Sequence, residues 1–256
     1  HKKYNSASGG VFFKFVADTA GDLSAGTLYA AKLTQDKEAD PNKAGFNVSW
    51  IELGHGNNAD IEGWITEYDS VTVADYKEGE TNYISDDEIR AYAEQKSGKD
   101  LDGNGSVAEA KDARVVFLES RRTAAAMGAT NEWDKLEGVT SHENKVYISA
   151  SALSFTMDKS WGHKDWSTGV IDKEAAGDIA LNAEGCGGTY VAETGANFDI
   201  TRIEPYVIGK TTSDGKCELD LPANPDNILA MADGSLLIGE DAGPKRHELD
   251  MLWMVR

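Results

Sequence analysis

The sequence predicts a mainly β protein, a β-propeller that is partial in this chain and carries a helical, EF-hand-like insertion, on three observations. Residues Lys135-Leu136-Glu137-Gly138-Val139 and Pro225-Asp226-Asn227-Ile228 open two segments that match almost position for position, about 90 residues apart. Each sets a carboxylate before a short apolar run, then a polar turn (His142-Glu143-Asn144, then Ala232-Asp233-Gly234), then a second strand-like run (146–149 and 236–239). Strand-like runs also recur at about 40 to 50 residues, the length of a propeller blade. Between residues 60 and 127 the pattern becomes helical. A hairpin repeat cannot bury its apolar face alone, so copies pack about a common axis. Acids at the mouths of axis-lining strands would converge; the plainer alternative is that Glu137 and Asp226 only shape turns. A β-sandwich is the competing architecture.

In order, strands are expected at 11–16, 27–33 and 47–51, separated by Gly, Asp and Asn. Asp86-Asp87-Glu88-Ile89-Arg90-Ala91-Tyr92-Ala93-Glu94 reads as a helix with an acidic first turn. Residues 107–127 read as a longer helix, with Val115, Val116, Leu118 and the 124–126 alanines available for burial. Strand texture returns at Lys145 and continues through 188–191, 200–208, 228–231 and 252–255. The domain reading is a single propeller domain over 1–256, incomplete on its N-terminal side, with the insertion at 60–127.

Asp+Glu 44 against Lys+Arg 25 gives a formal charge of -19. That charge repels phosphate backbones and argues against nucleic acid as a partner, while divalent cations remain attractive ones. Apolar runs fall far short of the ~20 residues of a membrane-spanning helix. The two cysteines, Cys186 and Cys217, lie in turn sequence beside strand-like runs; a disulfide is feasible, and two thiols in a reducing compartment are the alternative.

Asp100-Leu101-Asp102-Gly103-Asn104-Gly105-Ser106-Val107 has acids or amides at positions 1, 3 and 5, Gly at 6 and an apolar residue at 8. This is the front half of an EF-hand calcium loop, read here over 100–112 with Ser106 as a further oxygen. Position 12 is Lys111, so closure falls to Glu109, Asp112, water or a distant residue. A bare Asp/Asn/Gly turn is the alternative, and a bound calcium would be structural.

Three stretches resemble the central motifs of the PhoX-type alkaline phosphatases: Phe117-Leu118-Glu119-Ser120-Arg121-Arg122-Thr123-Ala124-Ala125, Met127-Gly128-Ala129-Thr130-Asn131-Glu132 and Lys135-Leu136-Glu137-Gly138-Val139. The likeness extends to the strands of residues 9–32, to Trp50-Ile51-Glu52-Leu53-Gly54-His55, to Cys186-Gly187-Gly188-Thr189-Tyr190, to Asn224-Pro225-Asp226-Asn227 and to Ile238-Gly239-Glu240-Asp241, ending near His247 and Trp253. It covers most of the chain outside the EF-like loop. The resemblance implies an exported propeller phosphatase (periplasmic, extracellular or in another oxidising lumen) that hydrolyses phosphate monoesters with calcium and ferric iron. It implies Glu137 as a central metal ligand, Lys135 as a cation against substrate phosphate, Asp226 and Glu240 as further metal ligands, and Cys186 with Cys217 as a disulfide. Arg121 and Arg122 are candidates to clamp phosphate, with ion pairing to neighbours such as Glu119 as the alternative.

Family members are longer, and the resemblance places the iron-binding cysteine and other metal acids ahead of His1. The expectation is therefore a C-terminal part that works with its missing N-terminal portion or a companion chain; the alternative is a non-catalytic, calcium-stabilised scaffold or extrinsic subunit. His55 and His142 stand alone, and residues 161–166, Trp-Gly-His-Lys-Asp-Trp, read as a solvent-facing loop. No Ser-His-Asp order, phosphate-cradling glycine loop or CxxC pair is present.

Overall fold

The computed structural model describes residues 9–77, 83–110, 112–160 and 177–256; Lys111 and the 161–166 loop lie outside them. The architecture is mainly β. Strands β1 (Phe13–Thr19), β2 (Asp22–Gln35), β3 (Phe46–Asn57), β4 (Leu136–His142), β5 (Lys145–Ala150), β6 (Gly188–Thr194) and β7 (Ile200–Ile208) form one antiparallel sheet in the order β1-β2-β3-β7-β6-β5-β4. This sheet curls into a half-barrel consistent with a propeller-like fold. A second sheet, order β10-β9-β8, is built from β8 (Pro225–Ala230), β9 (Leu236–Glu240) and β10 (Leu252–Val255).

Period-two alternation sorts the side chains of each strand between two sides. On β2, Ala31 and Leu33 face the main core, with Phe46, Trp133, Ile148 and Tyr190, while Leu28 and Ala30 face the helices. On β5, Ile148 and Ala150 face the main core, whereas Tyr147 packs on Leu236 and Ile238 of the second sheet. The alternate face of β5 therefore looks at β8 and β9, and this positions the candidate site.

Between β3 and β4 the chain forms α1 (Asn58–Asp69), α2 (Asp86–Ser97), α3 (Arg114–Leu118) and α4 (Ser120–Ala126). Helix α2 starts on a Ser85/Glu88 capping box and ends on Gly98 in the left-handed region. The helix expected over 107–127 is instead two short ones. Asp112 accepts from the Arg114 amide and starts α3; at Glu119 (φ -132, ψ 43) the helix breaks, and the Thr123 hydroxyl takes the Val115 carbonyl. Helix α1 was not expected, since its sequence has no continuous apolar stripe. Asn57 caps it by accepting from the Asp60 amide, and none of its residues is buried.

Candidate functional site

The sequence repeat is a repeat of backbone geometry. Lys135 and Asn224, the residues that enter β4 and β8, both have φ +45, in the left-handed region. The carbonyl of Lys135 accepts from the Ser151 amide, and that of Asn224 from the Asp241 amide. One ladder pair follows in each case (Leu136 with Ala150, Pro225 with Glu240), and then the register slips by one before Val139 and before Ile228. Glu137-Gly138 and Asp226-Asn227 are thus equivalent β-bulges, the device that re-aims side chains at strand ends. The acids sit in the bulges.

The two bulges are neighbours. The Ser149 hydroxyl accepts from the Gly138 amide at 2.7 Å and donates to the Asp226 carbonyl at 2.7 Å. A Cβ on Gly138 would lie 2.7 Å from that same carbonyl oxygen, so glycine permits the approach. Ser151, the residue after β5, donates to Glu137 Oε1 at 3.3 Å, and Lys135 Nζ stands 3.7 Å from it. Asn224 Nδ2 donates to the Ser151 and Gly185 carbonyls, and its amide to the carbonyl of Cys186. Cys186 is bonded to Cys217, with S–S 2.01 Å. The mouth is therefore stapled to the disulfide loop.

Glu137 is 30% exposed, with one hydroxyl and one ammonium near it. Its oxygens retain acceptor capacity of the kind a hard divalent cation uses. Both cysteines are consumed by their bond, so the chain offers no thiolate for iron. Among the described residues, Glu137, Asp226 and Glu240 do not form a cluster of ligand atoms close enough to share one ion.

Glu240, expected as a metal ligand, is turned inward with its side chain 0% exposed. Oε1 accepts from the Ala223 amide and Trp253 Nε1, and Oε2 from the Met251 amide and His247 Nδ1. Those four donors fill a carboxylate's acceptor sites, so Glu240 is an internal latch. Arg122 makes the ion pair offered as its alternative: it is tied to Asp86 and to Glu119, and it donates to the Ile84 carbonyl, joining α4 to the start of α2. Arg121, half-buried on the same helix, is engaged as well.

In the 100–112 loop, Asp100 accepts amides of Gly103, Asn104 and Gly105, led by Gly105, which hold its carboxyl below the ordinary value. Asp102 accepts from the Asn104 amide, and Asn104 from Ser106. The carboxylate that approaches Asp100 and Asp102 is Glu94 of α2, which the sequence reading missed. It accepts the Leu101 and Ala108 amides on either side of the loop. Asp112 accepts from the Arg114 amide just ahead of α3, and Glu109 lines a crevice beside Glu88 and Arg114.

Asp134, also missed, is 4% exposed beside the mouth and accepts from the Ser154 hydroxyl. Burial pushes its carboxyl up, and the Ser154 hydrogen bonds and Lys135 offset this in part. A folded-state pKa above the unfolded one gives stability that is full at acid pH and is lost as pH rises through the folded value. Asp134→Asn is therefore expected to raise the thermal midpoint at pH 7 by roughly a few degrees and to leave it unchanged below about pH 3. A lower midpoint at pH 7 in calorimetry would contradict this account.

The family model described as alkaline phosphatase PhoX matches residues 6–254. A solved structure of Pseudomonas fluorescens PhoX in complex with vanadate, a transition state analogue, is similar in fold, with a TM-score of 0.54 at 14% identity. The similarity covers 97% of this chain and 38% of that one. No curated protein matches the sequence. No helix among the described residues is long and apolar enough to cross a membrane.

Proposed function

We propose, from the premise that this chain belongs to the alkaline phosphatase PhoX family, that it forms the C-terminal part of a metal-dependent phosphatase acting on phosphate monoesters. The observation that carries the proposal is the pair of equivalent bulges bringing Glu137 and Asp226 to one mouth beside Lys135. When bound there, calcium supplies positive charge for the phosphoryl oxygens and lowers the pKa of an attacking water. Glu137 and Asp226 hold the cation, and the Lys135 ammonium screens the phosphate's negative charge. Iron, which the family resemblance adds, takes its ligands from chain outside these residues, in the same protein or a companion. A second calcium at Glu94, Asp100 and Asp102 would tie α2 to the loop that follows it. The Cys186–Cys217 bond suits an exported protein in an oxidising compartment.

A second reading, a calcium-stabilised scaffold without catalysis, is favoured by the inward turn of Glu240, which removes one expected ligand. Incubating the complete protein with a chromogenic phosphate monoester, calcium and ferric iron separates the two. Phosphate release that a chelator stops is expected. Calcium binding with no release under any metal supplement would establish the scaffold instead.

A further inference from the structure

We propose that the outward face and open edge of the second sheet are a docking surface for a further β-sheet of the same protein, supplied by chain outside these 256 residues. The inference rests on the reading of this chain as part of a longer phosphatase for where the partner comes from, and on geometry for the surface itself. Period-two alternation gives β8, β9 and β10 two faces. One face packs Leu236, Ile238 and Trp253 with Tyr147 of β5. The other is apolar as well. In the strand register Leu229 pairs with Leu237, and Leu237 with Met254, so three long apolar side chains form one row across the sheet. Leu252, paired with Gly239, extends the apolar surface along β10. Leu229 is 54%, Met254 57% and Leu252 72% exposed.

An antiparallel sheet with one wet face alternates apolar with polar residues, whereas a sheet apolar on both faces is built to lie between two packed layers. Single exposed leucines need no explanation, but a contiguous row does. The edge points the same way: β10 bonds to β9, and among the described residues its other side has no strand partner. Its Leu-Trp-Met-Val sequence holds none of the Pro or Lys that blunts an exposed edge. Charge and length select the occupant. No ionisable side chain lies in the row, and Arg256 stands at its rim with Nη2 3.9 Å from Met254 Sδ. A second copy would bring another net charge of -19 against this one, and an anionic membrane is repelled for the same reason. A neutral apolar sheet carries no such penalty. The solved PhoX structure is matched over 38% of its own length, so most of that fold has no counterpart in these residues.

The test is the rate at which a maleimide labels Met254→Cys in the complete native protein, referred to the rate for the same variant in denaturant with the Cys186–Cys217 bond intact. Native labelling is expected to be slowed by about 100-fold or more, because the thiol is reached only when the docked sheets open. Native labelling within about threefold of the denatured rate would overturn the proposal; phosphate release by that same protein would show the phosphatase reading standing without it. Protection that vanishes on dilution, with a sedimentation mass of twice the complete protein, would put a second copy on this face and overturn the assignment as well. Protection without phosphate release under any metal supplement supports the docking surface and fails the phosphatase reading. Should Met254→Cys not fold, Leu229→Cys, in the same row, is read by the same criteria.

Discussion

Glu137→Gln is expected to reduce phosphate release by at least the ~10²–10³-fold typical of losing one transition-state charge stabiliser, with little change in stability. The amide keeps the shape of the side chain and still accepts from Ser151, so the bulge persists. What disappears is the anionic oxygen that holds the cation, and with it the charge that makes the mouth electronegative. Asp226→Asn is expected to act in the same direction. Steady-state hydrolysis of a chromogenic monoester, beside a thermal melt, checks this. Full activity in a folded Glu137→Gln protein would remove this carboxylate from the mechanism.

The largest stability loss is expected at the C-terminal end of β9, where Glu240 pairs with Pro225 beside the Asp226 bulge. His247 and Glu240 have side chains that are 0% exposed and meet at 3.0 Å. The other ring nitrogen faces the Glu218 carbonyl at 3.2 Å. Removing the imidazole takes one of four donors from the buried Glu240 carboxylate and leaves a cavity, at a cost of about 3–5 kcal/mol, a large share of the roughly 5–15 kcal/mol that holds a domain folded. His247→Ala is therefore expected to lower the thermal midpoint by roughly 10 °C or more. Within 2 °C of wild type would be consistent only with a pair that contributes little.

Strands were the legible part of this chain, because alternation and turn residues are local signals. The correspondence of the segments opening at Lys135-Leu136-Glu137 and at Pro225-Asp226 was also visible, and it marked the two acid-bearing stretches. That these turns are bulges was not, since a bulge belongs to the pairing of two strands and neither strand encodes it alone. Ser149 and Ser151 showed only as the polar half of an alternating strand; nothing local says that β8 lies opposite. Glu240 was a metal candidate only through the family resemblance, and its inward turn depends on donors at residues 223, 247, 251 and 253. The helix over 107–127 is two short ones: its apolar residues do pack, but Glu119 leaves the helical region between them, and the Val115 carbonyl accepts both the Glu119 amide and the Thr123 hydroxyl.

Helix α1 is capped at its start by Asn57 and has no buried residue. Trp64 stacking on Phe117 at 6.2 Å and Tyr68 donating to Glu119 are among its few attachments to the rest of the molecule. Amide exchange and protease access are governed by the free energy of the smallest opening that exposes a segment, and few packed contacts set that free energy low. This helix can therefore melt and re-form while the sheets beneath it stay intact, so the protein's local breathing is concentrated on the helical side, away from the mouth of β4 and β8.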